Sequence, residues 1–179
     1  MSLSIIALIL GLIGLFFSVY GFIYPLRIYS FLQKFPRNEV MGKALACICC
    51  ILAARESFLM NMAGLNSYKF LIYFISPIIF ACSIIYLKEL LAPRALGGIY
   101  CLLAVPVVKT AALSDAYLFQ IMSFIGYVWV IYGITLLLAP WNFRKINDFL
   151  SGKRVFPKNL FFFKAIFCIF LIYLALFVY

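Results

Sequence analysis

Long stretches without a charged side chain constrain this chain more than any other feature. No Asp, Glu, Lys or Arg occurs over residues 2–26, 70–87 and 116–143, and residues 159–179 contain only Lys164. A helix needs about 20 apolar residues to cross the hydrocarbon core of a bilayer. Only 11% of the residues are charged, whereas a soluble domain carries about 25%. We therefore expect lipid, rather than water, to surround most of the chain.

Helices are the expected structure of these segments, because backbone in lipid must satisfy its own hydrogen bonds. A membrane β-barrel would require alternating polar residues, and these runs do not alternate. The sequence predicts an all-α polytopic membrane protein with six transmembrane helices, near residues 3–24, 42–61, 70–89, 95–113, 117–139 and 160–178. Whether the segment 95–113 spans completely is left open by its composition.

Two parts of the sequence resemble each other. Residues 13–21 read IGLFFSVYG and residues 125–133 read IGYVWVIYG. Each copy is followed by a proline, a Phe-Leu pair and an FPRN or FPKN turn at residues 35–38 and 156–159. The sequence thus predicts one transmembrane domain, 1–179, made of three helical hairpins, 3–61, 70–113 and 117–178. Hairpins 1 and 3 are interpreted as an internal duplication, with chance similarity of aromatic-rich helices as the alternative.

The formal net charge of +10 is distributed unevenly. Basic residues concentrate between predicted helices 1 and 2, 3 and 4, and 5 and 6: Arg27, Lys34, Arg37, Lys43, Lys88, Arg94, Arg144, Lys145, Lys153, Arg154 and Lys158. This asymmetry follows the positive-inside rule and predicts both termini on the non-cytoplasmic side. Membrane lipids are therefore expected as partners and nucleic acid is not. The compact loops favour a bacterial inner membrane.

Small side chains form a stripe along predicted helix 1, at spacings of four, three, four and three residues: Ala7, Gly11, Gly14, Ser18 and Gly21. Small residues let helices approach closely in lipid. Predicted helix 5 keeps Gly126 and Gly133 on the corresponding stripe. We call these residues the packing seams. The sequence leaves open whether the helix 1 seam faces the protein's own bundle or another subunit. Predicted helix 2 carries small residues all around and is expected to be central.

Groups able to perform catalysis are scarce. The chain contains no histidine and only five acidic residues, and it has none of the common phosphate-binding or nucleophile motifs. Cys47 and Cys50 form a C-x-x-C spacing inside an apolar helix, where cysteine behaves as a small hydrophobic residue. We therefore expect no enzymatic activity, no catalytic residues, no metal site and no cofactor, although a bound lipid or quinone stays possible.

Four ionisable residues are the candidates for a polar cluster in the outer half of the membrane: Arg55, Glu56, Lys109 and Asp115. Charges inside a membrane are costly and usually face a partner or a cavity. We predict that Glu56 pairs with Lys109 or with its neighbour Arg55. Three interpretations remain open: a structural or snorkelling pair, a site for a ligand, ion or quinone, and contact with a partner subunit.

Two functions follow from these features. The favoured hypothesis is a non-catalytic integral membrane subunit, or a scaffold or assembly protein, of a larger membrane complex. It depends on the missing catalytic groups, the repeated hairpins and the short exterior loops. The alternative is a small transporter or channel that uses the Arg55, Glu56 and Lys109 cluster.

Overall fold

The structure, a computed structural model, describes residues 3–60, 69–86, 90–114, 116–151 and 156–179. These residues form helices and connecting turns, without a strand among them. The helices are α1 Leu3–Ile23, α2 Pro25–Lys34, α3 Glu39–Leu59, α4 Leu71–Tyr86, α5 Leu91–Ala112, α6 Phe119–Leu138, α7 Trp141–Ser151 and α8 Phe156–Phe177, with a short 3₁₀ helix at Phe35–Arg37. The expectation of an all-α protein is confirmed for the described residues.

Four of the described helices are long and apolar enough to cross a membrane: Leu3–Ile23, Leu91–Ala112, Phe119–Leu138 and Asn159–Phe177. The protein is therefore a helical membrane protein with four candidate spans among these residues. The described part of α4 has 16 residues, or about 24 Å of helix, which is shorter than the hydrocarbon core. Charged residues at both ends of α3 lower its hydropathy. The six-span prediction is therefore supported for four helices.

Two short helices form in segments that the sequence analysis described only as rich in basic residues. Helix α2 begins at Pro25 and helix α7 begins directly after Pro140, because proline is well tolerated in the first turn, where its missing N–H costs least. Both helices are amphipathic. Each follows closely on one of the long apolar helices, α1 or α6, so the two segments that resemble each other in sequence carry similar elements at these positions.

The two FPRN-like turns fold differently. In the first copy, Phe35–Arg37 forms the 3₁₀ helix and Asn38 caps α3, its side-chain oxygen accepting hydrogen bonds from the backbone N–H groups of Val40 at 3.1 Å and Met41 at 3.2 Å. This is the arrangement expected of an N-terminal cap. In the second copy the same motif lies inside the first turns of α8, which begins at Phe156.

The chain divides into two compact units. The first unit comprises residues 1–33, 104–128 and 144–179, and the second comprises residues 34–103 and 129–143. In the first unit α1 packs along α8, and buried residues recur at helical spacing, such as Ala104, Val107 and Ala111. Small and branched side chains fill its core.

In the second unit α3 packs along α4 and the beginning of α5. Ala46, Leu91 and Ala95 form its buried cluster, with Phe80 and Ile84 packed against them. The small residues of α3 had suggested a central position. The structure shows instead that much of this helix is exposed. Gly42 and Ala46 are its buried positions, whereas Ala44, Cys47 and Ile51 are exposed. Small side chains on every face allow close packing, but only where a neighbouring helix is present. The neighbours of α3 lie on one side of it.

Candidate functional site

The predicted polar cluster divides among different parts of the chain. Arg55 and Glu56 lie one turn before the end of α3 in the second unit, where the guanidinium Nη1 is 3.7 Å from the carboxylate Oε1. Side-chain exposure is 65% for Arg55 and 22% for Glu56. Lys109 belongs to the first unit and its side chain is exposed near the end of α5. Asp115 lies outside the described residues. Among the predicted pairings, the structure gives Arg55–Glu56.

A lysine that the sequence analysis did not select stabilises the same end of α3. The Lys69 ammonium group donates a hydrogen bond of 3.0 Å to the backbone carbonyl of Phe58. The last carbonyl groups of a helix have no partner within the helix, and a cation there also interacts favourably with the helix dipole. In the sequence, Lys69 is a single basic residue ten positions beyond the end of α3. Such a pattern is too weak to predict a helix cap.

The packing seam of α1 lies against α8 in the first unit. A Cβ atom at Gly11 would be 2.6 Å from Ile172 Cγ1, and one at Gly14 would be 2.6 Å from Cys168 Sγ. One at Gly21 would be 2.5 Å from the Phe161 ring. Glycine therefore permits the close approach of α1 and α8 at these positions. The two other members of the seam, Ala7 and Ser18, are fully buried. The Ser18 hydroxyl donates a hydrogen bond to the Phe161 carbonyl.

The corresponding glycines of α6 face α5. In the first unit a Cβ at Gly126 would clash with Val108 Cγ2. In the second unit a Cβ at Gly133 would be 2.7 Å from the Gly97 carbonyl oxygen and 2.5 Å from Cys101 Sγ. Thus the two seams, which are similar in sequence, contact different helices. Periodicity indicates which face packs, but not against which neighbour.

The short helices α2 and α7 contact each other. Asn147 on α7 is only 6% exposed, and its side-chain amide donates a hydrogen bond of 3.3 Å to the Leu32 carbonyl. That carbonyl belongs to the last turn of α2, where the helix cannot satisfy it. In the second unit the Phe35 and Phe143 rings also meet, with centroids 5.6 Å apart. The sequence analysis missed both contacts, which depend on residues 115 and 108 positions apart.

An exposed stripe of large side chains runs along α6. Its members are spaced at three, four, three and four residues: Phe124, Tyr127, Ile131, Ile134 and Leu138. We call these five residues the α6 stripe. Tyr127 is 59% exposed and lies eight residues into α6, about 12 Å from its start. Within the described residues its hydroxyl group has no hydrogen-bond partner.

An open apolar groove of about 130 Å³ lies between α3 and α4 in the second unit. Small side chains of α3 and branched side chains of α4 line it: Cys50, Ala53, Ala54, Ile72, Ile75, Ser76 and Ile79. The Ser76 hydroxyl is its one polar side-chain group besides the Cys50 thiol. Binding sites for small molecules usually combine an apolar lining with several convergent polar groups. This groove lacks that combination. Among the described residues, no group of three potential metal ligands is close enough together to hold a metal ion.

The chain beyond α8 contacts the turn before α6. The Tyr179 hydroxyl donates a hydrogen bond of 2.9 Å to the Leu118 carbonyl, and burial raises the pKa of this phenol. Because the folded state favours the protonated phenol, this contact stabilises the fold below the ordinary tyrosine pKa of about 10. The stabilisation is lost as the pH rises through the higher folded-state value.

Comparison with known proteins identified no relative. No protein-family model, no curated protein and no solved structure matches this chain.

Proposed function

We propose that this protein is a non-catalytic integral membrane subunit, or a scaffold or assembly protein, that binds transmembrane helices of other membrane proteins. The observation that carries the proposal is the α6 stripe. Its spacing alternates between three and four residues, as in helices that pack at about 20° to one another. It presents large side chains from Phe124 to Leu138, on a face that the described residues leave exposed.

The tyrosine in the α6 stripe favours a protein partner over lipid. Tyr127 lies near the middle of α6, at the depth of the hydrocarbon core if the helix spans. A phenol in hydrocarbon loses its hydrogen bonds with water, which costs free energy unless another donor or acceptor replaces them. Polar side chains commonly bond across helix interfaces in membranes. A neighbouring helix would supply the hydrogen-bond partner that acyl chains do not provide.

The charged residues favour the subunit hypothesis over a transporter or channel. Charges that line a transport path face the interior of a bundle or a water-filled cavity. Arg55 and Lys109 are instead exposed, and they lie four and three residues before the ends of their helices. From there a long side chain can reach the membrane surface. We therefore interpret the Arg55–Glu56 pair as structural.

The finer architecture belongs to the same proposal. Helix α3 has 21 residues, or about 31 Å of helix, so α3 and α4 could complete six spans. The positions of α2 and α7 after α1 and α6 are consistent with duplicated hairpins. We propose that both short helices lie on the cytoplasmic side and both termini on the other side of a bacterial inner membrane. No cofactor is required for this role.

Photocrosslinking tests the proposal with a closely matched pair of sites. Phe124 in the α6 stripe and Phe16 on α1 are the same residue type, and both are 68% exposed. A photoreactive phenylalanine analogue would replace each in turn in native membranes. We expect the position 124 probe to give one discrete adduct with a different membrane protein, because the stripe contacts a partner helix. The position 16 probe, which faces lipid, should give lipid adducts.

The adduct masses decide the outcome. Identification of the same membrane protein in repeated position 124 adducts, lost when Tyr127→Phe is also present, would support the proposal. Lipid adducts alone at both positions would contradict it. An adduct with twice the mass of this chain would also contradict it, since the stripe would then join copies of one protein.

Flux measurements separate the two candidate functions. For a subunit whose Arg55–Glu56 pair is structural, liposomes containing the wild-type protein or Glu56→Gln should have ion and proton leaks equal to those of empty liposomes. A transporter or channel would give a wild-type flux that Glu56→Gln abolishes. Ser57→Ala, one residue further along α3, is the control for local disturbance. A flux above the background in the wild type would contradict the subunit hypothesis.

A further inference from the structure

We propose that the first-unit parts of α2 and α7 form a binding site for anionic phospholipid headgroups. The site consists of Arg27, Arg144 and Lys145, which we call the basic triad. This inference goes beyond the proposed function and does not depend on a protein partner. It is based on the position of the two helices, the direction of their charged side chains and the contact that joins them.

Chain connectivity places both helices at a membrane surface. Helix α1 is a candidate span that ends at Ile23, and α2 begins two residues later at Pro25. The Pro25 ring cannot donate a hydrogen bond to the carbonyl of Gly21, so the α1 hydrogen-bond ladder is interrupted there. In the same way α6, also a candidate span, ends at Leu138 just before α7. An amphipathic helix directly after a span is suited to the interface between headgroups and acyl chains.

Burial shows which face of each helix points outward. On α7, Phe143 and Asn147 are buried, whereas Arg144 and Lys145 are exposed. On α2, Arg27 is exposed and Ile28 is half-buried. The apolar or hydrogen-bonded sides of the helices therefore contact the protein, and the cationic sides are presented outward.

Among the side chains that the structure describes, the basic triad has no acidic partner. The ion pairs found there are Lys43–Glu39 and Arg55–Glu56. The guanidinium group of Arg27 lies 5.0 Å from the centroid of the Tyr24 ring, a cation–π contact that leaves its charge uncompensated. Asp148 is the one acidic residue in the sequences of the two helices, against four basic residues. The excess of positive charge is therefore available to an external anion.

The Asn147 contact makes the two helices act together. Its hydrogen bond to the Leu32 carbonyl holds α7 at the end of α2, so the charges of both helices are presented on one supported element. Cations carried by two joined helices lose less conformational entropy on binding than cations on independent loops. Lipid phosphates are the anions available at this depth, and polybasic segments next to spans attract anionic lipids.

Electron paramagnetic resonance of spin-labelled lipids tests this site with the full chain in phosphatidylcholine vesicles. The measured quantity is the association constant of spin-labelled phosphatidylglycerol relative to that of spin-labelled phosphatidylcholine. We expect a ratio well above five for the wild type, since each of the three basic residues near the surface contributes a factor of about five. In Arg27→Gln/Arg144→Gln the ratio should fall to roughly five, the contribution of the remaining Lys145. Sodium chloride at about 1 M should lower the wild-type ratio similarly, because salt screens surface charges.

The matched control is Arg37→Gln/Lys43→Gln. It removes two exposed positive charges that lie between α2 and the first turns of α3, outside the triad. We expect it to retain most of the wild-type ratio. A wild-type ratio near one, or an equal decrease in both double variants, would overturn the proposal. Equal thermal unfolding of the variants by circular dichroism excludes misfolding, and the salt dependence tests the site without any substitution.

Discussion

Gly133→Ala should strongly destabilise the protein, whereas Gly14→Ala should have little effect. A Cβ atom at Gly133 would be 2.7 Å from the Gly97 carbonyl oxygen and 3.2 Å from the Cys101 backbone nitrogen. Backbone atoms can give way only if α5 and α6 separate. Forcing an additional methyl group into a well-packed interface costs about 1–3 kcal/mol. We expect a decrease in the free energy of unfolding at the upper end of that range.

At Gly14 the short contact is with a movable atom. The new methyl group would be 2.6 Å from Cys168 Sγ and 3.9 Å from Cys168 Cβ, so rotation of the thiol relieves the clash. Alanine also favours the helix by about 1 kcal/mol over glycine. Unfolding by sodium dodecyl sulfate in mixed micelles measures both variants. Equal destabilisation by the two substitutions would contradict the assigned contacts.

Gly14→Cys should form a disulfide with Cys168 of the same chain. The Cβ atoms would be 3.9 Å apart, close to the mean of about 3.8 Å found in disulfides. In a protein whose other five native cysteines are replaced by alanine, copper phenanthroline should oxidise nearly all of the pair. The product would be a monomer that no longer reacts with a maleimide. This result would show that the α1 seam contacts its own α8.

Phe16→Cys in the same background is the control, because position 16 lies on the exposed side of α1. Because Cys168 is only 4% exposed in the fold, the maleimide is added after unfolding in sodium dodecyl sulfate, and this variant should then keep two reactive thiols. A covalent dimer of Gly14→Cys would mean that the seam joins two subunits. Unchanged thiol reactivity would mean that α1 and α8 are not neighbours. Either result would contradict the structure of the first unit.

The sequence predicted the features that depend on local composition. The uncharged runs located three of the four candidate spans, whereas the fourth, Leu91–Ala112, contains Arg94 and Lys109. The small residues of α1 identified the face on which Gly11, Gly14 and Gly21 meet α8. These predictions succeed because each transmembrane helix must by itself be suited to a hydrocarbon environment, whichever helices it contacts. The difference between four supported spans and six predicted ones arises in α3, which contains Arg55 and Glu56, and in the short α4.

Features that depend on partners distant in sequence were not predictable. The seams of α1 and α6 look alike, yet Gly14 meets Cys168 and Gly133 meets Gly97. Asn147 showed no sign that it would bond to Leu32. Helices α2 and α7 were missed for another reason. A search for runs of about 20 apolar residues passes over short amphipathic helices, although alternation of Arg27 with Ile28 and Leu32 was visible.

Lipid exposure of the four candidate spans tests the central claim most directly. Spin labels would be attached at exposed residues near the middle of each helix, in a cysteine-free background: Ile13, Leu103, Val128 and Phe167. In liposomes we expect collisions with oxygen to be frequent and collisions with a water-soluble nickel complex to be rare at all four positions, as at the centre of a bilayer. Frequent nickel collisions at any of these positions would show that its helix lies in water, and would contradict the account.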